Sequence, residues 1–322
     1  MNVVIDTISH IKIGTPATFR NLTLFPLTDG EGRGADYLTL DEALAKKSAH
    51  VTEVSEGGSV PELKFINETG QSVFLLDGEE LVGAKQNRVL NLSILVPAGK
   101  TLIIPVSCVE RGRWHHRSRE FSSAARAHYA EGRARKMSQV TSSMKFRGER
   151  HSDQGAVWRD LDDKFGRLAA SSPTSAMSDI YEQHTAKLED YVRSFTPAEG
   201  QVGMMFAIDG RIIGFDLFDC AETLQKLFPK LIRSYALDAL DASLAKETEA
   251  KAPSAADAAG LLNRVIRAKL ETFPAIGEGE DLRLSARGLT GAALAKKERV
   301  VHLSAFCLGE GAGRNSGTGR EA

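Results

Sequence analysis

A strand, a turn and a second strand follow one another between Val89 and Val109, and this unit constrains the fold more than any other stretch of the chain. Apolar and polar side chains alternate from Val89 to Val96, which is the period of a strand with one buried face. A Pro-Ala-Gly-Lys turn leads into an almost continuous apolar run from Thr101 to Val109, as in a strand covered on both faces. An antiparallel hairpin would bring the residues before Val89 beside those after Val109. We therefore expect the polar segments at its two ends to form one site.

The segment before the hairpin carries four consecutive polar side chains, Lys85, Gln86, Asn87 and Arg88. In a strand, Lys85 and Asn87 would lie on one face and Gln86 and Arg88 on the other. A lysine or arginine on the inward face must be paired or must face a ligand, because an unpaired buried charge is unfavourable by several kcal/mol. An exposed sheet face with internal ion pairs is the alternative.

The segment after the hairpin offers a carboxylate, two guanidinium groups and an indole ring within five positions: Glu110, Arg111, Arg113 and Trp114. Guanidinium groups match phosphate or carboxylate with two parallel hydrogen bonds, and a tryptophan can stack on a base. A cation–π contact at the surface is the alternative for Arg113 and Trp114. We expect these residues, together with the preceding segment, to bind a ligand.

Three acidic residues surround the Asp77-Gly78 turn, namely Asp77, Glu79 and Glu80. Carboxylates in this spacing could bind a divalent cation or supply a general base, and a solvated turn is the alternative. Glu79, Glu80 and Glu110 are the candidates for acid–base chemistry or metal ligation, and the sequence does not identify a metal or a cofactor. Asp153 and Gln154, before a predicted helix, are a secondary candidate, either as an anion site at free backbone N–H groups or as a helix cap.

Three separated segments resemble one family, the ARG and rhodanese-phosphatase-superfamily associated protein domain, in which ARG stands for ADP-ribosylglycohydrolase. The resemblance extends from about Leu22 to about Phe306. It implies a link to ADP-ribose or NAD-derived metabolism, and it assigns no catalytic residue. The segments are Leu76-Asp-Gly-Glu-Glu-Leu-Val-Gly-Ala-Lys-Gln-Asn-Arg88, Val106-Ser-Cys-Val-Glu-Arg-Gly-Arg-Trp114 and Ser152-Asp-Gln-Gly-Ala-Val-Trp158.

With this implication, the leading hypothesis is a pocket for a phosphate-bearing small molecule such as ADP-ribose or another NAD-derived nucleotide. Arg88, Arg111 and Arg113 would hold phosphate, Trp114 would stack, and Gln86 and Asn87 would bind sugar or base. Turnover stays open, because the chain has no Gly-x-Ser-x-Gly or Walker motif that marks a nucleophile or a phosphate loop. A non-catalytic sensor using the same pocket is the first alternative, and a structural oligomerisation protein is another; the oligomeric state is open.

A nucleic-acid binder is a further alternative, because residues 110–150 hold eleven Lys and Arg against four Glu, a local charge of 11 − 4 = +7. Such a block concentrates positive potential where an anion can be attracted. Apolar residues are sparse from residue 111 to residue 148, which predicts a long connection with short helices. Aromatic residues are also few there, so nucleic acid is the weaker hypothesis.

The remaining pattern predicts an α+β protein with an N-terminal β-sandwich or barrel, a basic helical insertion and a C-terminal half of a hairpin plus helices. A strand at residues 21–27 is expected at a sheet edge because Pro26 cannot donate to a ladder. We expect a capping box at Thr39, a hairpin at residues 202–218, and a long helix at residues 221–245 that Pro229 kinks or restarts. Helices are also predicted at 154–168, from Ser172-Pro173 to Phe195 and from Ser254, with closing strands at 281–285 and 300–306.

The expected organisation is a β-rich half at 1–110, a basic helical connection at 111–198, an α+β half at 199–308 packed on the first, and a disordered tail at 309–322. The 322 residues are 42% hydrophobic, enough for a large core. The chain has no apolar run of about 18 residues and no secretion signal, which predicts a cytoplasmic protein without a membrane partner. Three widely spaced cysteines predict free thiols.

Overall fold

The computed structural model describes residues 2–30, 33–244 and 253–309. These residues form an α+β fold with three β-sheets, as predicted. The helices are α1 (Val3–His10), α2 (Leu40–Ala45), α3 (Ala130–Arg147), α4 (Gln154–Arg167), α5 (Met177–Gln183), α6 (Thr185–Ser194), α7 (Ala221–Leu244) and α8 (Ala255–Ile266). The first twelve strands are β1 (Lys12–Ile13), β2 (Ala17–Phe19), β3 (Leu22–Thr28), β4 (Tyr37–Thr39), β5 (Ala49–Glu53), β6 (Glu62–Asn67), β7 (Ser72–Leu75), β8 (Glu79–Gly83), β9 (Arg88–Leu90), β10 (Ile94–Val96), β11 (Thr101–Cys108) and β12 (Phe121–Ala127). The remaining strands are β13 (Gln201–Ile208), β14 (Arg211–Phe218), β15 (Lys269–Pro274), β16 (Glu280–Ala286), β17 (Leu289–Lys296) and β18 (Arg299–Cys307).

A curled, half-barrel sheet of six strands dominates the N-terminal half, in the order β12-β8-β9-β11-β6-β5. Its inner face carries Leu63, Phe65, Leu81, Leu90 and Val106, which pack in one core cluster. The parallel β4–β7 pair and β10 form a second, three-stranded sheet. This is the barrel-like half that the sequence predicts.

A nine-stranded antiparallel sheet makes up most of the rest of the fold, in the order β1-β3-β13-β14-β18-β17-β16-β15, with β2 also on β3. One face packs against α7, and the other packs against α1 and α8. Strands β1, β2 and β3 lie in this sheet although they come from the first 30 residues. The sheet therefore crosses the boundary expected at residue 110, and the division into halves stays a prediction.

The central hairpin forms only at its polar end. Arg88 pairs with Cys108 and Leu90 with Val106, so the two polar segments do converge, as predicted. The expectation of one continuous strand from Val89 to Val96 is wrong. Residues 94–96 form a separate strand, β10, which pairs with β7 in the three-stranded sheet. The physical reason is Pro105, which accepts a bond from the backbone N of Asn91 but has no N–H to return. The ladder therefore ends there.

The predicted edge position of β3 is also wrong. This strand has β13 on one side and β1 and β2 on the other. Pro26 lies between the β1 and β2 registers, and its carbonyl accepts a bond from Gly14 N at 2.8 Å. Because no ladder bond is required of Pro26 N in this gap, a proline is tolerated inside the sheet.

The basic stretch after residue 111 is not a connection with short helices. It contains β12 and the 18-residue α3. The buried face of α3 includes Arg133 and Lys136 beside small residues, so an apolar period is absent even though the helix is buried. Charged side chains that are paired inside the protein hide a helix from hydrophobic periodicity.

The helix expected from Ser172-Pro173 begins later, at Met177, and is divided into α5 and α6 at His184. The hydroxyl of Ser172 instead accepts bonds from the backbone N of Thr174 and Ala176, which holds a turn. The Ser172 side chain thus takes backbone N–H groups that a helix would otherwise use, and it favours a turn at this point.

Several local predictions are confirmed. Thr39 forms a capping box with Glu42, and the β13–β14 turn has positive φ at Asp209 (48°) and Gly210 (74°). Ser254 caps α8 as predicted. The long helix is also present as α7, but the restart expected at Pro229 does not occur, because Pro229 lies inside one continuous helix. The sequence did not indicate α1, β15 or β17, and residues 310–322 of the predicted tail lie outside the described residues.

Within the described ranges, no helix is long and apolar enough to cross a bilayer. Cys108, Cys220 and Cys307 are free thiols, as predicted.

Candidate functional site

Arg88 is the buried cation at the point where the polar segments meet. Its side chain is 0% exposed, and its Nη1 donates to Gln86 Oε1 at 2.9 Å. Its Nε and Nη2 have no hydrogen-bond partner, and no ion pair joins it to a carboxylate in the described part of the chain. Burial lowers the pKa of Arg88 from its ordinary value. A buried guanidinium with two free donor groups is a strong indication of a missing partner.

Gln86 and Cys108 lie beside Arg88 on the inner side of the curled sheet. Cys108 Sγ lies 3.3 Å from Gln86 Oε1, and Cys108 is the register partner of Arg88. Burial raises the pKa of the Cys108 thiol, although Arg88 opposes this. The thiol is therefore protonated at neutral pH, as expected for an inert cysteine. The predicted strand alternation of Lys85 to Arg88 is not observed, because the backbone turns at Ala84 (φ 35°) and residues 85–87 lie in the bend between β8 and β9, so that only Arg88 is in a strand.

Trp114 and Lys85 border Arg88. The Trp114 side chain is 47% exposed, and its ring centroid lies 5.8 Å from the Arg88 guanidinium carbon and 5.3 Å from Lys85 Nζ. Lys85 Nζ also donates to the carbonyls of Glu56 (2.6 Å) and Gly57 (2.7 Å). Lys85 thus holds the loop that follows β5 rather than facing solvent.

A cleft of about 650 Å³ opens next to this loop, and we call it the Glu53 cleft. Glu53 is 8% exposed and lies on the same buried face of β5 as Val51. One carboxylate oxygen of Glu53 accepts a bond from Lys85 N at 3.3 Å, and the other has no partner among the described residues. The cleft is lined by Thr52, Glu53, Ser55, Glu56, His116, Arg117, Ser118 and Arg119.

Arg113 and Glu110 were both predicted to contact a ligand. In the structure they form a buried salt bridge with one another instead. Arg113 donates to both carboxylate oxygens of Glu110, at 2.8 and 2.6 Å. Its remaining donors reach Asn87 Oδ1 at 3.1 Å and the carbonyls of Gly83, Ala84 and His115. Arg113 therefore has no free donor for phosphate, and it fixes the geometry of the polar segments.

Glu110 is correspondingly unsuited to act as an acid. Its oxygens also accept from Asn87 N (3.0 Å) and Thr174 Oγ1 (2.9 Å). Burial alone would raise the pKa of Glu110, but the hydrogen bonds from Arg113, Asn87 and Thr174 outweigh burial and lower it. The carboxylate stays ionised and fully occupied.

Arg111, Asp153 and Gln154 are each engaged by partners within the protein. Arg111 is exposed and pairs with Asp162 at 3.1 Å. Asp153 caps α4 by accepting a bond from Ala156 N, and Gln154 exchanges two 2.8 Å bonds with the backbone of Cys108. The capping alternative, rather than the anion site, describes Asp153.

The three carboxylates around the turn at residue 78 do not form a joint cation site. No group of three or more His, Cys, Asp or Glu that could hold a metal occurs within residues 2–30, 33–244 and 253–309. Burial raises the pKa of both Glu79 and Glu80. Each carboxylate is paired with a cation of a different element: Asp77 with Lys136 of α3 (2.6 Å), Glu79 with Lys230 of α7 (2.6 Å), and Glu80 with Arg126 of β12.

A second cluster of buried charges, which no sequence motif indicated, lies between the large sheet and α3. Asp216 of β14 is 0% exposed and binds Arg133 through two hydrogen bonds of 3.0 and 2.6 Å. Tyr235 and His302 also contact this carboxylate, at 3.1 and 3.2 Å. The sequence contained one signal for this cluster: Asp216 and His302 are polar residues within β14 and β18, two strands that are otherwise largely apolar.

Comparison with known proteins gives one match. A sequence model of the ARG and Rhodanese-Phosphatase-superfamily-associated Protein domain matches residues 10–306, nearly the whole chain. The chain belongs to this family. Neither a curated protein nor a solved structure matches it.

The family match confirms the resemblance drawn from the three sequence segments and extends it toward the N-terminus, from Leu22 to residue 10. In this family member, the residues of those segments fall into two groups. Arg113, Glu110 and Asn87 build the scaffold. Arg88 and Lys85 lie beside Trp114, and Lys85 connects this group to Glu53 and Glu56 of the cleft. The family description itself names no ligand and no reaction.

Proposed function

We propose that this chain binds a phosphate-bearing small molecule, such as ADP-ribose or another NAD-derived nucleotide, in the Glu53 cleft. The observation that carries the proposal is Arg88, whose buried guanidinium has free Nε and Nη2 groups and no carboxylate partner in the described chain. Arg88 does not line the cleft itself, but it is connected to Glu53 and Glu56 of the cleft through Trp114 and Lys85. An anionic group is the partner that satisfies both free donors at once.

The walls of the cleft support the same ligand class. Arg117 and Arg119 are exposed and lie on one wall, where they can meet a second phosphate. Glu53 presents an unpartnered carboxylate oxygen that can accept a bond from a sugar hydroxyl. Next to the cleft, beside Lys85, Trp114 offers a half-exposed ring for stacking on a base.

Binding without turnover is the activity that we propose for this cleft. The three glutamates expected to act as acid or base, Glu79, Glu80 and Glu110, are each engaged by an internal cation. A general acid or base must reach the reacting atom, and none of them is free to do so. The cleft is thus described as a sensor or carrier site.

Nucleic acid is the weaker candidate because most of the basic block is paired with carboxylates of the same chain. Eight of its eleven Lys and Arg residues make ion pairs within the chain, and three of the eight are buried, which reduces the positive charge available to nucleic-acid phosphates. The eight are Arg111, Arg113, Arg117, Arg126, Arg133, Arg135, Lys136 and Lys145.

A thermal-shift screen tests the proposal and names the ligand class. The purified protein is heated with ADP-ribose, NAD, nucleotides, sugar phosphates and inorganic phosphate over a range of concentrations. We expect a Tm that rises with the concentration of a phosphate ligand, because binding to the native state alone stabilises it by mass action. No shift with any phosphate compound would refute the proposal.

The matched variants separate the cleft from nonspecific charge. Arg117→Ala combined with Arg119→Ala removes two exposed arginines from the cleft wall. Arg147→Ala combined with Arg159→Ala removes two exposed arginines from α3 and α4. The ligand-dependent shift should be lost in the first double variant and kept in the second. Equal loss in both would show a bulk electrostatic effect rather than a site.

A further inference from the structure

Two consecutive hydrogen bonds beside a small cavity link Ser93 to His302 and His302 to Asp216. Ser93 Oγ lies 2.8 Å from His302 Nδ1, and His302 Nε2 lies 3.2 Å from Asp216 Oδ1. The three residues come from the segment before β10, from β18 and from β14. A hydroxyl bonded to an imidazole that is bonded in turn to a buried carboxylate has the connectivity that activates a serine nucleophile, although here Nδ1 faces the serine and Nε2 the carboxylate, the reverse of the serine-protease triad.

The groups around these three residues determine which atom is the donor in each of the two hydrogen bonds. The backbone N of Asp77 donates to Ser93 Oγ at 3.0 Å, which leaves the Ser93 hydroxyl proton free to point to His302 Nδ1. The ionised Asp216 can only accept, so it selects the tautomer of His302 that carries its proton on Nε2. Nδ1 is therefore the basic nitrogen, and it faces the serine.

Asp216 acts here as a positioning residue. Burial alone would raise the pKa of Asp216, but the charge of Arg133 and the contact with His302 outweigh burial and hold it well below its usual range. The His302 ring is also stacked on Phe218, with centroids 4.8 Å apart and an interplanar angle of 25°. The imidazole is held on both its edge and its face, as a general base must be.

Ser93 differs from a hydroxyl in a closed polar core in two respects. It is partly exposed, whereas His302 (2%) and Asp216 (0%) are buried. It also lines a cavity of about 10 Å³, whose wall contains the cation Arg283 together with His302 and Ser304. The oxygen of Ser304 has no partner in the described chain. The nucleophile thus faces a small cavity with both polar and apolar lining residues rather than packed side chains.

We propose that Ser93 and His302 catalyse the hydrolysis of small carboxylic esters, a site and an activity separate from ligand binding in the Glu53 cleft. The cavity has room for about one water-sized group. The acyl part of the substrate is therefore short, an acetyl group whose methyl occupies the cavity while its carbonyl carbon lies at Ser93 Oγ and the alcohol part extends outward past the exposed side of Ser93.

The reaction has two steps that balance with water as the co-reactant. Ser93 Oγ bonds to the carbonyl carbon while its proton moves to His302 Nδ1. The bond from that carbon to the alcohol oxygen then breaks, and the alcohol leaves with the proton. In the second step, water gives a proton to His302 and its oxygen to the acyl carbon, which releases acetate and restores the Ser93 hydroxyl.

Hydrolysis of p-nitrophenyl acetate tests the activity, and p-nitrophenyl octanoate tests the size limit. We expect saturable release of nitrophenol from the acetate and background release from the octanoate. Ser93→Ala and His302→Gln should each lower kcat/KM by at least about a hundredfold. Ser122→Ala removes an exposed serine of β12 and should leave the rate unchanged. Equal rates in Ser93→Ala and wild type would overturn the proposal.

Covalent labelling keeps the test valid if a variant fails to fold. Wild-type protein is treated with an alkyl fluorophosphonate, which bonds to an activated serine, and the labelled peptide is mapped by mass spectrometry. We expect the label on Ser93, and competition by an acetyl ester. Labelling at another serine, or no labelling under conditions that modify a serine esterase, would refute the assignment.

Discussion

At the residue scale, the polar segments around the hairpin show how the same residue types can serve a scaffold or a ligand. Arg113 has every donor engaged, whereas Arg88 has two free nitrogen atoms. Both arginines are fully buried, so exposure does not distinguish them. Only the count of hydrogen-bond partners distinguishes them: Arg113 has a structural role, and the free donors of Arg88 are the basis of the proposed binding role.

Replacing Arg113 with Ala should destabilise the fold by about 3–5 kcal/mol, because Glu110 would be left buried without its cation. Urea denaturation measures the change. The exposed Arg111→Ala is the matched control, and its midpoint should equal that of the wild type. A midpoint for Arg113→Ala equal to the wild-type midpoint would show that the pair is not structural.

The stability contributed by Glu110 should depend on pH. The pKa of Glu110 in the folded state lies below its ordinary value of 4.5, despite the opposing effect of burial, because Arg113 and Asn87 bond to the ionised form. The contribution is therefore fully present above pH 4.5 and is lost as pH falls through the folded-state pKa. The difference in unfolding free energy between wild type and Glu110→Gln should shrink on acidification. A difference that grows toward low pH would contradict this.

At the element scale, α3 carries much of the electrostatic organisation of the molecule. Arg133 reaches Asp216, Lys136 reaches Asp77, and Arg135 reaches Asp160. The helix therefore joins the large sheet, the turn before β8 and α4. Its charged buried face explains why no hydrophobic period revealed it in the sequence.

Gly132 of α3 provides a packing test. A Cβ at this position would collide with the imidazole of buried His128. Gly132→Ala should therefore be destabilising by about 1–3 kcal/mol, through overpacking. Gly260→Ala in α8 is the control: its Cβ meets nothing within 4 Å, so it should stabilise by about 0.5–1 kcal/mol. Calorimetric Tm values measure both, and a stabilised Gly132→Ala would contradict the packing described.

The elements that the sequence predicted are those with local signals. The capping box at Thr39 and the Asp209-Gly210 turn are confirmed because each depends on neighbouring residues only. The convergence of Arg88 with Cys108 was also predictable, since a hairpin fixes which ends meet. The hydrogen bonds that link Ser93, His302 and Asp216 were not predictable, because the three residues are more than 80 positions apart in the sequence and share no motif. The spacing of Glu110 and Arg113 did contain a signal of a local ion pair that could have been used.

At the scale of the whole molecule, the first 110 residues depend on the rest. Strand β3 needs β13 as its ladder partner. The buried carboxylates of Asp77, Glu79 and Glu80 all take their cations from beyond residue 110, namely Lys136, Lys230 and Arg126. A fragment lacking those cations must bury three unpaired charges or leave the segment unfolded.

A fragment of residues 1–110 should therefore not fold on its own. Circular dichroism and amide proton dispersion in NMR spectra measure this, with the full chain as the reference. We expect the spectrum of an unfolded chain. A dispersed spectrum with a cooperative thermal transition would show that the half-barrel is an autonomous domain.

The Glu53 cleft also gives the molecule an intrinsic reporter. The chain has two tryptophans, Trp114 beside Lys85, which in turn bonds Glu53 of the cleft, and Trp158 in α4. In Trp158→Phe, the emission comes from Trp114 alone, whose ring is half-exposed beside Arg88 and Lys85. A base that stacks on this ring changes its emission.

The measurement that tests the central claim most directly is a titration of Trp158→Phe with ADP-ribose, followed by Trp114 fluorescence. The account predicts a saturable change in emission that is abolished when Arg117 and Arg119 are both replaced by Ala, and retained when Arg147 and Arg159 are. An emission spectrum that does not change up to millimolar ADP-ribose, NAD and sugar phosphates would contradict a phosphate-ligand site at this cleft.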